Sequence, residues 1–243
     1  MNYSEFAAFY DRLQEADYDT IGGYYHKLLC ERGAAGGILL DLACGTGAFS
    51  RYFADLSYDV IGADISPEML SVAAKKPCKN VQYLCQDMTK LDLFGTIDCC
   101  VCALDSFNHL PDKNALKQAF SRVSLFMNEG GVLTFDVNTP YKHYEILSGN
   151  TFIFDYEDLY CVWQNSDCED GKVDITLEVF ERDLDSDVWQ RHTEVLSETA
   201  YSLEVITEML TEAGFSNIKI YDWLSKEPAN ELSEKAVFTA TKQ

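Results

Sequence analysis

From residue 38 to residue 137 the chain alternates short apolar runs with amphipathic stretches, and this rhythm is what most restricts its fold. The apolar runs lie at 38–42, 60–63, 81–85, 97–103 and 132–137. Helix-period segments separate them, one reaching about Leu56, one starting at Pro67 and one starting at Asp112. Runs this short and this apolar fit strands buried on both faces, and the intervening helices are the crossovers that parallel strands need. The pattern therefore predicts an α/β fold with a parallel sheet and helices on both of its sides. Ahead of it, Phe6, Phe9, Tyr10 and Leu13, then Ile21, Tyr24, Tyr25, Leu28 and Leu29, recur at helical spacing, so two helices precede the sheet.

Past Pro140 the rhythm changes. Residues 152–156, 160–165, 173–182 and 189–198 read as strands joined by turns such as Asp170-Gly171 and Asp185-Ser186-Asp187, an antiparallel block. A helix over 203–213 follows, stopped by Gly214, then strands at 215–221 and 236–241. With 243 residues there is room for one principal core and an excursion from it. Residues 1–140 and 200–243 are assigned to that core and 141–199 to the antiparallel β insertion, serving as a lid or as a homodimer surface.

Ligands of an open parallel sheet bind beyond the carboxyl ends of its strands, where the winding direction switches. Asp41-Leu42-Ala43-Cys44-Gly45-Thr46-Gly47 forms such a strand end, and its glycines allow positive φ and close approach to backbone. A dinucleotide-binding turn would place a third glycine three residues after Gly47, where this chain has Ser50. An acid at Asp41 also repels a pyrophosphate, whereas it suits a ligand carrying an amino group and a sulfonium. About twenty residues on, Asp64 ends the second strand at the distance where a carboxylate accepts from ribose hydroxyls. Ser66 and Pro67 supply the N-cap and first turn of the next helix. At the third strand Cys85-Gln86-Asp87-Met88 offers a carboxylate for an exocyclic amine and an apolar side chain for a ring face.

Together these pieces resemble the class I S-adenosylmethionine-dependent methyltransferases, over about residues 36–140 and 200–243, with D-L-A-C-G-T-G the most specific part. The resemblance implies a Rossmann-like seven-stranded methyltransferase sheet whose final strand is antiparallel. It implies S-adenosyl-L-methionine as cofactor, with Asp41, Ala43, Gly45 and Gly47 cradling its amino-acid portion, Asp64 its ribose, and Asp87 with Met88 its adenine. Cys44, Ile65, Met69 and Leu104 complete that set, and Tyr10, with Tyr18, is placed over the cofactor's carboxylate end. The segment Leu104-Asp105-Ser106-Phe107-Asn108-His109 lacks the Asn/Asp-Pro-Pro-aromatic tetrad of DNA amino-methyltransferases and the Pro-Cys of RNA cytosine-5 enzymes. It is similar instead to the small-molecule branch, glycine N-methyltransferase and aminosugar N-methyltransferases, which also resemble this chain in the tyrosine-bearing N-terminal helices.

The expected activity is methyl transfer to the amine nitrogen or hydroxyl of a small molecule. Displacement at a sulfonium methyl needs alignment and exclusion of water more than reactive side chains. His109 is the candidate base, and Asp105, Asn108, Tyr160 and Trp163 are the candidate acceptor contacts. The remaining readings are a cofactor-binding sensor or scaffold without turnover, a methyltransferase acting on RNA or protein, and a nicotinamide oxidoreductase.

Charge bears on these choices. Forty acids against nineteen bases leave a net charge of -21, and residues 141–200 hold 15 acids and 4 bases. Such a surface opposes polyphosphates, so nucleic acid is not an expected partner, while an acidic lid suits a cationic amine. Nine cysteines fall mostly in apolar runs and read as reduced core residues. Cys99 and Cys102 point to opposite faces of one strand, which argues against a metal pair. No apolar run approaches the roughly 20 residues of a membrane span. The first residues, Met1-Asn2-Tyr3-Ser4-Glu5-Phe6, lack a basic head and long apolar run, giving a cytoplasmic expectation.

Overall fold

A computed structural model describes residues 9–13, 16–76, 78–183 and 188–243; Met1-Asn2-Tyr3-Ser4-Glu5-Phe6 and the Asp185-Ser186-Asp187 turn lie outside these residues. Helices α1 (Tyr10–Leu13) and α2 (Tyr18–Glu31) lead into β1 (Ile38–Leu42), α3 (Ala48–Asp55), β2 (Asp59–Asp64), α4 (Pro67–Ala74), β3 (Val81–Cys85), β4 (Ile97–Cys102), α5 (Lys113–Phe126) and β5 (Met127–Asn138). The insertion carries β6 (Thr151–Asp155), β7 (Leu159–Asn165), β8 (Lys172–Asp183) and β9 (Val188–Thr199). The chain then closes with α6 (Leu203–Glu212), β10 (Phe215–Asp222) and β11 (Lys235–Lys242). Helix starts follow local chemistry: Ser66, Asp112 and Ser202 each accept a backbone N–H three residues on, and Pro67 occupies the first turn of α4.

Seven strands form one sheet in the order β10-β11-β5-β4-β1-β2-β3. β1 pairs in parallel with β2 and β4, so the winding reverses beside β1 and opens a crevice at its carboxyl end. β11 is antiparallel to both neighbours, β5 and β10. Alternation along the strands feeds two cores. Leu40, Leu42, Cys100, Cys102 and Phe135 pack on one face with residues of α5 and α6, while Leu39, Cys99 and Val101 pack on the other with Tyr25, Leu29 and Phe53. Cys99 and Cys102 thus serve opposite cores, and all nine cysteines are unpaired.

The insertion is a four-stranded antiparallel meander in the order β6-β7-β8-β9. Its inner face, with Leu159, Cys161, Ile175, Leu177 and Leu196, clusters with Phe9 and Leu13 at the N-terminus and Met69 of α4. That packing lays the second sheet across the carboxyl ends of the first. A π-helical turn over Lys142–Leu147, absent from the sequence-based expectation, joins β5 to β6. It buries His143 completely, with Nδ1 2.8 Å from the Gly171 carbonyl that it faces. No described helix is long and apolar enough to cross a membrane.

Candidate active site

The loop after β1 divides its two glycines between two duties. Gly45 sits at φ 52° and Gly47 at φ 75°, both left-handed. A Cβ built at Gly47 would lie 2.2 Å from the Tyr83 hydroxyl, so Gly47 is needed for packing of the loop on β3. A Cβ at Gly45 would meet nothing within 4 Å, and Gly45 lines a cavity at the carboxyl end of β1. The loop is fixed from below. Gly45 N–H donates to Asp64 Oδ2 at 2.8 Å and Ser66 N–H to Asp64 Oδ1 at 2.8 Å, tying the ends of β1 and β2 together. Burial raises the Asp64 carboxyl above its ordinary range despite these bonds.

Asp41 lies one layer deeper. Ser50, at the place of the third glycine of a dinucleotide turn, donates to Asp41 Oδ2 at 2.5 Å. Burial, and then the nearby Asp64 charge, push Asp41 up to about 7 against the effect of the Ser50 hydroxyl. Asp41 and Cys44 border a recess of about 20 Å³, shared with Tyr10, Tyr18, Ala43, Gly45 and Leu104. A recess of that size holds one water-sized or ammonium-sized group.

The cavity that Gly45 lines, about 530 Å³, runs from this loop to the inner face of the insertion. Tyr10, Ala43, Gly45, Asp64, Ile65, Met69, Asp87, Met88 and Leu104 line the end nearer β1, β2 and β3. Asp87 Oδ1 accepts from both the backbone N–H and the hydroxyl of Thr89, each at 2.8 Å. Partial burial works against the Asp87 charge, but these bonds and Lys90 hold its carboxyl below the ordinary range.

Beyond β4 the backbone is strained, with Leu104 at φ 57° and Asp105 at φ 51°, and neither is glycine. Asp136 of β5, fully buried, holds the bend. It accepts Leu104 N–H at 2.7 Å and Asp105 N–H at 2.9 Å, and also takes the Tyr25 hydroxyl and the Lys235 ammonium. Lys235 reaches on to Asp105 at 2.6 Å. Burial alone would raise Asp105; the charges of Lys235 and then Lys142 outweigh it and bring the carboxyl down to about 2. The bend aims Asp105 and the 3-10 turn Ser106–His109 at the insertion.

There His109 faces Glu198 of β9, Nε2 to Oε1 being 3.9 Å. Asn138 donates to Glu198 Oε2 at 2.8 Å, and Lys142 donates to Asn138 Oδ1 at 3.0 Å. Trp163, Ile175, Leu177 and Leu196 form the apolar wall of this end. Among the residues expected from sequence, Asp105, His109 and Trp163 line the cavity. Asn108 does not: it is 3% exposed and donates to the Asn138 and Thr199 carbonyls, a strut between β5 and β9. Tyr160 does not either, because β7 alternates. Cys161 and Trp163 face inward, and Tyr160 faces outward beside Phe180 and Trp189. Glu198, Asn138, Lys142, Asp136 and Lys235 were not singled out from sequence. Asp136 and Asn138 lie at the carboxyl end of a predicted central strand, and Glu198 lies two places after inward Leu196, signals that were available.

Residues 39–131 match the methyltransferase-domain family. A protein of Geobacillus sp. (strain WCH70) named as a methyltransferase is 33% identical over the full length of both chains. A solved S-adenosylmethionine-dependent methyltransferase from Clostridium acetobutylicum ATCC 824 superimposes with a TM-score of 0.89 at 30% identity, covering 99% of this chain and 98% of that one. A glycine/sarcosine N-methyltransferase of Parasynechococcus marenigrum (strain WH8102) is 30% identical over 139 residues, 54% of this chain and 49% of that protein. The cradle fits the cofactor these names carry: open space where a Gly45 Cβ would stand, a small recess beside the acid Asp41, and two further acids, Asp64 ending β2 and Asp87 just past β3. With its fold, its glycine loop and full-length relatives in agreement, this chain belongs to the S-adenosylmethionine-dependent methyltransferases.

Proposed function

We propose that the enzyme methylates a small molecule, at an amine nitrogen or a hydroxyl, held between His109 and the inner face of the insertion. The observation that carries this reading is a cavity of about 530 Å³ that joins the glycine loop to a polar cluster beneath the second sheet. Its volume falls in the range of small-molecule sites and matches a cofactor plus a modest acceptor more readily than a polymer. Similarity to a glycine/sarcosine N-methyltransferase over half of the chain supports the same class of acceptor.

In this proposal Asp41, with Tyr10, Ala43, Cys44 and Gly45, holds the amino-acid portion of S-adenosylmethionine; Asp64 holds the ribose; Asp87 and Met88 hold the adenine, with Ile65, Met69 and Leu104 beside them. Gly47 acts indirectly, by seating the loop on Tyr83. When bound, S-adenosylmethionine supplies an electrophilic methyl group on a sulfonium. The protein's share is to align the acceptor, keep water out and accept a proton. Asp136 fixes the strained Leu104-Asp105 bend, and so the height of His109 relative to the glycine loop. The insertion, residues 141–199, acts as the lid through Trp163, Ile175, Leu177 and Leu196. His109 Nε2 accepts the proton that the acceptor gives up.

Supplying labelled S-adenosylmethionine and separated metabolite, protein and nucleic-acid fractions tests the reading. Label is expected in the metabolite fraction, and label confined to a polymer fraction would overturn it.

A further inference from the structure

At the acceptor end of the cavity two hydrogen-bond acceptors face one another with no donor between them among the described residues. His109 turns Nδ1 to the Ser197 carbonyl at 3.3 Å. A carbonyl oxygen accepts, so Nδ1 carries a hydrogen, and in the neutral ring Nε2 then presents its lone pair. Glu198 Oε1 lies 3.9 Å from that lone pair, beyond hydrogen-bond reach. The carboxylate is held from behind. Oε2 accepts from Asn138 Nδ2 at 2.8 Å and lies 3.4 Å from His143 Nε2, and Glu198 is 4% exposed. Asn138 is itself fixed by Asn108, which accepts its backbone N–H at 3.0 Å and donates to its carbonyl at 3.1 Å. This scaffold leaves Oε1 directed at the cavity that Glu198 lines.

A gap of that width is bridged by one atom about 2.8 Å from each acceptor and carrying two hydrogens. A hydroxyl brings one hydrogen, a neutral amine up to two and a primary ammonium three. The charged groups around the gap point the same way. Lys235 pairs with both Asp105 and Asp136, whereas among the described residues Glu198 has no lysine or arginine within 4.0 Å. Asp105, His109 and Glu198 also bring three ligand atoms within 4.8 Å of one another. A divalent cation there would have to share Asp105 with the Lys235 ammonium 2.6 Å away, which favours a monovalent organic cation.

We propose that Glu198 Oε1 and His109 Nε2 form the nitrogen site of the acceptor, and that the acceptor is a primary or secondary amine taken up as its ammonium. This rests on the reading of the cavity as an acceptor site. The ammonium donates one N–H to Glu198 and one to His109. His109 Nε2 takes the second proton, leaving a neutral amine and an imidazolium balanced by Glu198. The nitrogen lone pair then forms the bond to the methyl carbon as the carbon–sulfur bond breaks with its electrons on sulfur. Sulfonium becomes thioether and amine becomes methylated ammonium, so charge is conserved. Glu198 thereby sets specificity for nitrogen over oxygen, with Asn138 as its positioning residue.

The test uses S-adenosylmethionine carrying a trideuterated methyl group, the wild-type enzyme and the deproteinised small-molecule fraction of a cell extract, with the label located by tandem mass spectrometry. The expected product carries the label on a basic nitrogen. With that amine, Glu198→Gln raises the acceptor KM at least tenfold and leaves the cofactor Kd within twofold, and Glu198→Asp recovers part of the loss. Label on oxygen or carbon overturns the amine site and leaves small-molecule methyl transfer standing. No labelled small molecule at all overturns the functional reading with it. A wild-type KM in Glu198→Gln overturns the role of Glu198, and transfer abolished by a chelator assigns the three side chains to a metal ion instead. The wild-type product decides the amine question by itself where Glu198→Gln fails to fold.

Discussion

Gly45→Ala separates the cost of a backbone conformation from the cost of a filled ligand site. At φ 52° an alanine pays about 1–2 kcal/mol for the left-handed region. No further packing cost arises in the protein, because the new Cβ meets nothing within 4 Å. For a chain of this length about 1 kcal/mol lowers Tm by about 2–4 °C. The ligand is affected differently. The methyl would stand in the space assigned to the cofactor, and one excess methyl-sized group in a packed site costs about 1–3 kcal/mol, or about 5- to 150-fold in Kd. Gly33→Ala is the matched control, since Gly33 has φ 85°, also meets nothing within 4 Å, and lies just past α2 outside the cavity lining. Calorimetry with S-adenosylmethionine and thermal melts on both variants should give similar losses of Tm but weakened binding for Gly45→Ala alone. Wild-type affinity in Gly45→Ala, with the expected fall in Tm, would refute the placement of the cofactor against this loop.

Asp41 is pushed from 3.8 up to about 7 by burial, so the fold carries no penalty below about pH 4 and loses stability as the pH rises through about 7. Asp41→Asn should therefore leave Tm unchanged near pH 4, raise it by several degrees at pH 8, and weaken cofactor binding at pH 8; an equal change in Tm at both pH values would contradict this. Asp136→Asn removes the charge that faces buried Lys235 and two strained backbone N–H groups, and denaturant titration should show a loss of about 3 kcal/mol or more. For His109→Ala the methyl-transfer rate should fall about 10²–10⁴-fold with cofactor Kd held within twofold; a preserved rate would leave His109 as a strut to β9. Trp163→Ala should raise the acceptor KM while Tyr160→Ala changes neither KM nor kcat beyond twofold, because the two side chains leave β7 on opposite faces.

The strands, the crossovers and the glycine loop were legible because each is written in contiguous residues. Apolar runs at the five positions before Pro140 became β1 to β5, and Ser66-Pro67 and Asp112 began helices where their capping chemistry placed them. Ser50 was read as a missing glycine, and its positive role, the hydrogen bond to Asp41, needed the turn of α3 above β1 to be seen. The polar end of the cavity was harder to read because its members come from distant parts of the chain. Glu198 meets Asn138 across 60 positions and Lys235 meets Asp105 across 130, so no local pattern joins them. Tyr160 and Trp163 line different cavities, and this was legible. Their odd separation on one strand already set the two on opposite faces. The π-helical turn at Lys142–Leu147 has no periodic signature in six residues, and it sets Lys142 at the cavity and His143 behind Glu198.

In the proposed enzyme one cavity holds S-adenosylmethionine at the glycine loop and a small acceptor beneath the insertion. The most direct measurement is a crystal structure of the enzyme with S-adenosylhomocysteine and the methylated product identified by isotope labelling. The homocysteine end is expected beside Asp41 and Gly45, the ribose at Asp64, and the product's new methyl group between the sulfur and His109. Product bound on the outer face beside Tyr160 and Trp189, or a nucleoside lying away from Gly45, would contradict this placement.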